Sequence, residues 1–311
     1  MEIVAPDGPS LRVGRQELSL GDQRLVGPLD WAMQARSFDA VRLSGQAKDL
    51  AYELFGAMTR APSDFEGGRS RGDYLAGAQV SVELVEWLSA DVYLLYRHDG
   101  PLVDAPTRRR DIASPGLRLH GAHGPLRHTF EGTVQLGDDS GVSHLAYALA
   151  GDLGYAFSRA RPGSLAMGFA VASGASPTER LREVDNFFPT NHKFYGFADL
   201  FGLRNLVDGH VLGQWKAKAA PLTLTGGLFA FSLYDDRARW SDAVGRTLGH
   251  DAAGGARFLG GELDLTASYA PTPGLVLSAG YSLFAPAAGA RRLGNEQPQH
   301  WAYAMIMARL E

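Results

Sequence analysis

From Tyr74 to Leu84 every second residue is apolar or small: Tyr74, Ala76, Ala78, Val80, Val82 and Leu84. Gly77, Gln79, Ser81 and Glu83 fall between them. Successive strand side chains point to opposite faces, so the segment predicts a strand with one apolar and one polar face. The pattern recurs. Leu88, Ala90, Val92, Leu94 and Tyr96 oppose Ser89, Asp91, Tyr93 and Arg97. Phe130, Val134 and Leu136 oppose Arg127, Thr129, Glu131, Thr133 and Gln135. Leu259, Leu263, Leu265 and Tyr269 oppose Glu262, Asp264, Thr266 and Ser268, and Leu275 to Leu283 continue the rhythm after a Pro-Thr-Pro-Gly turn.

Read this way, the chain holds about fourteen strands, near 10–16, 37–45, 49–59, 74–85, 88–98, 113–121, 125–137, 143–158, 162–174, 206–218, 221–234, 256–270, 274–285 and 299–310. At Gly226-Gly227 the apolar phase slips from Leu222 and Leu224 to Phe229, Phe231 and Leu233, which predicts a bulge. A soluble sandwich also alternates, with its apolar faces meeting in a dry core. Three features favour a membrane barrel instead. Several strands run about 10 to 14 residues, the length of a tilted membrane strand. Rings sit near strand ends (Tyr74, Tyr96, Tyr155, Phe157, Trp215, Tyr234, Tyr269, Trp301, Tyr303), as in an interfacial girdle. Tight joins at Glu86-Trp87, 219–221 and 271–274 alternate with long polar stretches at 60–72, 99–114, 175–205 and 235–256, as short periplasmic turns alternate with long outer loops. The fold class read from the pattern is all-β: a transmembrane antiparallel β-barrel forming one domain over residues 1–311.

Composition refines this picture without changing it. Mean hydropathy is -0.13, and no apolar run is long enough for a transmembrane helix, but a barrel strand shows lipid only every second side chain. The formal net charge of -4 gives no general basic field for nucleic acid. With no Cys there is neither a disulfide framework nor a thiolate metal site. The start, Met1 to Gly14, lacks the basic segment and apolar core of a signal peptide. The expectation is therefore a chain short of its native start.

Two blocks carry more specific information. The first runs from Gly14-Arg15-Gln16-Glu17-Leu18-Ser19-Leu20-Gly21-Asp22-Gln23-Arg24-Leu25-Val26-Gly27 through Trp31 to Arg36-Ser37-Phe38-Asp39-Ala40-Val41-Arg42. The second is Phe188-Pro189-Thr190-Asn191-His192-Lys193-Phe194-Tyr195-Gly196-Phe197-Ala198-Asp199-Leu200-Phe201, then Arg204-Asn205-Leu206. Both resemble the alginate export family of outer-membrane β-barrels, and the strand rhythm matches throughout. The resemblance implies a barrel of roughly eighteen strands whose lumen passes an anionic polysaccharide, with roughly four N-terminal strands missing here. It also implies location in the bacterial outer membrane, contact with its lipid, and periplasmic secretion partners. The last strand, Trp301 to Leu310, ends in Glu311 rather than the aromatic residue common at barrel C-termini.

A lumen that moves a polyanion needs cations spaced as a ladder, each weak enough to release its cargo. Arg suits a carboxylate because its fork binds two oxygens. The candidates are Arg12, Arg15, Arg24, Arg36, Arg42, Arg97, Arg127, Lys193, Arg204, Lys216 and Lys218. Phase places Arg97, Arg127, Lys216 and Lys218 inside, with Asp208, His210 and Gln214 on the face of the two lysines. Phe38 and Arg42 share a parity, which leaves their orientation open. The competing reading of any single arginine is a structural ion pair with Glu53, Glu83, Asp91, Glu131, Asp152, Glu262 or Asp264. Arg108-Arg109-Arg110 reads as a solvated loop tip. The 191–199 block reads either as a loop folded into the pore or as an aromatic-packed turn. His192 and His210 lack metal-ligand spacing, and Asp138-Asp139 read as a turn. No nucleophile elbow, phosphate loop or zinc-protease motif occurs, so neither enzyme activity nor a cofactor is expected. Function then lies between a channel for an alginate-like polysaccharide or oligosaccharide and a general or small-solute porin.

Overall fold

Fourteen long strands form where the alternation predicts them. In the computed structural model β1 is Glu2–Val4, β2 Ser10–Gln16, β3 Phe38–Ala47, β4 Leu50–Arg60, β5 Ser63–Phe65, β6 Gly68–Ser70, β7 Asp73–Val85 and β8 Leu88–Asp99. Then come β9 Arg110–His123, β10 Leu126–Asp139, β11 Val142–Ala156, β12 Gly163–Ala172, β13 Leu206–Lys216 and β14 Leu222–Leu233. The series ends with β15 Trp240–Ser241, β16 Thr247–Gly249, β17 Phe258–Thr272, β18 Leu275–Pro286 and β19 Gln299–Ala308. The structure describes residues 1–311 apart from 1, 5–7, 33, 66–67, 71, 103–104, 106, 158–161, 176–179 and 309–311, and side chains at 2–4, 63–65 and 68–70 are likewise outside the description. Ser158, expected to end one strand, and Leu310 and Glu311, expected to end the last, lie outside the described residues.

One sheet holds fifteen strands in the order β1-β2-β3-β4-β7-β8-β9-β10-β11-β12-β13-β14-β17-β18-β19, and β5-β6 and β15-β16 are small separate ribbons. Sequence order is therefore sheet order, the topology of a hairpin meander. Among the described residues no helix is long and apolar enough to cross a membrane. Among the described residues the one α-helix, α1, is the single turn Ala288–Arg292. The chain divides into two compact units. Unit 1 comprises residues 1–120, 131–149 and 180–190, and unit 2 comprises 121–130, 150–179 and 191–311.

In unit 1, one face of the sheet is oily and open. Val41, Leu54, Val80, Val92 and Leu94 are all exposed. The opposite face is buried: Leu94 is 49% exposed and its neighbour Leu95 is 0%. A soluble sandwich would cover its apolar strand face, whereas here the outer apolar set is open and the opposite face, apolar and polar residues together, is the covered one. Loop 17–37 and segment 180–190 account for the burial. Leu18, Leu20, Leu25, Val26 and Phe187 form one cluster with the inner-face residues Phe38, Ala40, Phe55, Ala57, Leu75, Tyr93, Leu95 and Ile112. Phe38 and Arg42 both face inward: the first lies under the loops, and the second pairs with Glu53.

Unit 2 repeats the arrangement. Leu153, Leu165, Met167, Phe169, Val211, Leu228 and Leu265 are exposed on the outer face. Tyr155, Phe157, Trp215 and Tyr269 are exposed near the short-turn ends of their strands, as an interfacial girdle requires. Trp301 and Tyr303 depart from the expected girdle. Trp301 pairs with the buried inner residue Ser282 and packs on His192, 5.6 Å away, so it faces inward.

The expected bulge at Gly226-Gly227 does not exist. β13 and β14 pair without a break from Leu206↔Leu233 to Lys216↔Thr223. The irregularity in β14 against β17 lies at Phe231/Ser232 instead. The apolar phase changes because the surroundings change. Leu224 and Leu228 face outward, whereas Phe229, Phe231 and Leu233 are buried on the inner face under segment 195–203 and Trp240.

Candidate functional site

The inner face carries the candidate chemistry, and in unit 1 the two family-like blocks build part of it. Val26 and Phe188 form a parallel bridge. The Gly27 N–H donates to Phe188 O at 2.9 Å, the Phe188 N–H to Leu25 O at 2.8 Å and the Thr190 N–H to Gln23 O at 3.0 Å. Arg36 closes this join, its guanidinium donating to the carbonyls of Gly27, Phe188 and Pro189. Burial pushes the pKa of Arg36 down, with carbonyls rather than a carboxylate facing it. Arg24 is buried within the same loop, 3.8 Å from Asp22. The Asp22 N–H donates to Glu131, which also accepts the Tyr93 hydroxyl at 2.8 Å.

A chain of ion pairs lies toward the long-loop ends of the unit 1 strands. Arg60 holds Asp73 through two bonds of 3.0 and 2.8 Å. Arg108 reaches Asp73 at 3.3 Å and Asp99 at 2.9 Å. Arg97 binds Asp99 at 3.0 Å and both oxygens of Asp185 at 2.9 and 3.1 Å. Arg110 binds Asp185 at 3.2 Å and Asp139 at 3.0 and 2.8 Å. The backbone of Asp185 is fixed in turn: Gln135 Nε2 donates to its carbonyl and its N–H donates to Gln135 Oε1, both at 2.8 Å. These forks are occupied by intramolecular carboxylates, so the network is a latch holding segment 180–190 to the wall. Farther along, Arg118 is paired with Asp91 at 3.1 Å.

Several sequence-level assignments change accordingly. Arg97 faces inward as expected, but it is neutralised. Arg15 does not line the inner face. It stands opposite Asp39 on the side that exposes Val13 and Val41, it is 73% exposed, and it binds Asp39 through bonds of 3.0 and 2.9 Å. The parity of β2 turns it outward. Arg108 and Arg110 are not a solvated loop tip; Arg110 opens β9 and faces the wall. Lys218 lies in the turn after β13 rather than on the strand. Arg12 shares the inner parity of Gln16 and stands opposite Arg42. Sequence reasoning missed Arg60, Arg108, Arg110 and Arg118 as members of the wall. Their partners were equally hidden: Asp185 is 88 residues from Arg97.

In unit 2 the 191–203 segment folds onto the inner face and is packed there by its aromatics. Phe201 stacks on Phe231 with centroids 3.8 Å apart and lies 5.5 Å from Trp240. Trp240 Nε1 donates to Leu200 O at 2.9 Å. The Phe197 N–H donates to Asp264 and the Ala198 N–H to Glu262, at 3.0 and 2.9 Å. Gly196 permits this seat: its φ is +82°, and a Cβ there would lie 2.5 Å from a Glu262 oxygen. Lys193 lies over the Phe194 ring at 4.8 Å. Arg204 lies beside Gly245 in the same inner assembly. Below it, His210 is held at both ring nitrogens, by Asp208 at 2.7 Å and Asp152 at 2.8 Å. The His210–Asp152 bond passes over Gly168, where a Cβ would meet Asp152 at 2.3 Å and His210 at 2.4 Å. Arg127 shares the inner parity of Glu131 and Thr133 on β10, and Lys216 shares that of Asp208 and His210 on β13. Among the described residues no cluster of His, Asp and Glu is arranged to hold a metal ion.

Comparison with known proteins agrees with this geometry. The family model described as alginate export matches residues 4–303. No curated protein matches the chain. Solved structures share the fold. The outer membrane protein OprD from Pseudomonas aeruginosa is similar at 11% identity and a TM-score of 0.62, covering 96% of this chain and 74% of that one. Pseudomonas aeruginosa OccK11 (OpdR) is similar at 14% identity and a TM-score of 0.63, covering 96% and 76%. Acinetobacter baumannii OccAB1 is similar at 12% identity and a TM-score of 0.63, covering 96% and 74%.

Proposed function

The chain belongs to the alginate export family, and from that premise we propose that it is an outer-membrane channel for passive movement of an anionic, alginate-like polysaccharide or oligosaccharide. The observation that carries the reading is the division of the two sheet faces. The open face is oily, and the opposite one carries charged and hydroxyl groups beside apolar clusters covered by inward loops. A sheet with that division is stable where lipid meets one face and water the other. In this reading the sheet belongs to a closed barrel of roughly eighteen strands, the number the family implies, in the outer membrane, with lipid around it and periplasmic secretion components on the short-turn side. Long loops fold inward to narrow the lumen, and charged residues on the wall guide carboxylates without a cofactor.

A second reading has a specific observation in its favour. The arginines of the unit 1 wall are paired with carboxylates, so much of the cationic ladder is neutral. A wall of mixed, paired charge suits a general or small-solute porin. Conductance in planar bilayers separates the two. The polysaccharide channel shows current that polyuronate reduces in a concentration-dependent way; steady current indifferent to every acidic glycan leaves only the porin.

A further inference from the structure

We propose that Arg127, Lys216 and Lys218 form an anion-capturing mouth at the short-turn end of unit 2 and set the charge selectivity of the channel. This rests on the channel reading above and narrows it to three residues.

Each arginine of the unit 1 latch already carries a carboxylate of this chain. Such a cation is a poor first contact for cargo, because the incoming carboxylate has to displace a buried partner. Arg127, Lys216 and Lys218 differ: all three are exposed, and none has an ion-pair partner among the described residues. Arg127 and Lys216 lie on the inner parity of β10 and β13, and Lys218 follows in the turn after β13. The inner positions between them on β11 and β12 are Gly154, Ala156, Ser164 and Ala166, which carry neither charge nor bulk.

The acids of the unit 2 wall lie farther from the short turns than these cations and have partners of their own. Asp152 and Asp208 are engaged with His210. Glu262 and Asp264 are buried and accept backbone N–H groups of the inner loop. With three cations at the short-turn rim and the acids farther along the strands, the rim is the more positive part of this wall, which raises the local concentration of anions there. β10 and β13 are three strand spacings of about 4.8 Å apart. That span suits several units of an extended polyanion better than one small ion. Exposed, hydrated cations bind weakly enough to release what they gather.

The test uses the full chain reconstituted in planar bilayers. Reversal potential in a KCl gradient reports chloride against potassium permeability, and block by oligouronate reports capture of the larger anion. The parent should prefer chloride. Arg127→Gln/Lys216→Gln/Lys218→Gln should lose that preference and need on the order of tenfold more oligouronate for half block. The charge-balanced removal of one latch pair, Arg97→Gln/Asp185→Asn, should shift the reversal potential far less, since it takes away one charge of each sign. A triple variant with the parent's reversal potential overturns the mouth. A parent that conducts but ignores oligouronate overturns the acidic cargo, while the reversal potentials still decide whether these residues set selectivity. If the triple variant does not insert, the three single variants give the same readout, each with a smaller shift expected; three unshifted singles overturn the proposal.

Discussion

Single residues decide whether the inner wall holds its shape, and Gly168 is the sharpest case. The His210–Asp152 bond crosses from β13 to β11 over β12, and only a residue without a Cβ lets the two side chains meet. Gly168→Ala should therefore separate them and leave buried charge poorly paired, at a cost of about 1–3 kcal/mol. Urea unfolding of the detergent-solubilised or lipid-reconstituted protein checks this, and an unchanged midpoint would show that the pair contributes little. Gly196 belongs to the same class, since its carboxylate neighbour occupies the space of a side chain. Neither glycine announces its role in the sequence. A glycine in a strand predicts weakness or a bulge; that a hydrogen bond passes above it depends on two strands read together. Arg97, Arg127 and Lys216 were legible as inward-facing, because a period of two settles the face once the neighbours are assigned. Their partners were not legible, because pairing depends on loops arriving from far along the chain.

At the scale of elements, the strands follow from local pattern and the loops do not. The fourteen long strands lie within a few residues of the expected ranges because each is written in its own alternation. Leu18, Leu20, Leu25 and Val26 have no comparable period, so their burial becomes visible only when the loop is seated on Phe38, Phe55 and Leu75. The 14–42 and 188–206 blocks, which carry the family resemblance, are in large part inner-loop structure. The latch gives this level its prediction. Asp185 joins Arg97 and Arg110 and is itself held by Gln135. Asp185→Asn keeps the shape and removes the charge, leaving Arg97 with Asp99 alone and Arg110 chiefly with Asp139. Breaking a buried pair of this kind costs about 3–5 kcal/mol, reduced here because Arg97 retains Asp99 and Arg110 retains Asp139. The expected outcome is selective loosening of segment 180–190, read as faster hydrogen exchange there with the strands still protected. Uniform exchange across the chain would show that the latch does not hold that segment.

For the whole molecule, the division of faces has a consequence that can be measured without knowing the cargo. Val92, Leu94, Leu153, Met167 and Leu228 stand open on one face, and in water such a surface would aggregate. The protein should stay monodisperse only with detergent or lipid present. An outward charge such as Leu94→Arg or Met167→Arg should cost about 2–4 kcal/mol near mid-membrane and little near the rim. Folding titrations into vesicles test the size and the depth dependence together; equal, small costs at all depths would mean that these residues do not face hydrocarbon. The paired arginines bear on the same scale: charge on the inner wall is abundant, yet in unit 1 most of it balances locally.

β14 is the strand in which two surroundings meet. Its first half offers Leu224 and Leu228 outward, its second half buries Phe229 and Phe231 inward, and the ladder to β13 continues unbroken through both. Sliding this strand by one residue would turn the leucines toward water and the phenylalanines toward lipid in a single move, so either half alone vetoes the error. A strand guarded from both ends in this way is a natural reference against which neighbouring hairpins can align during assembly.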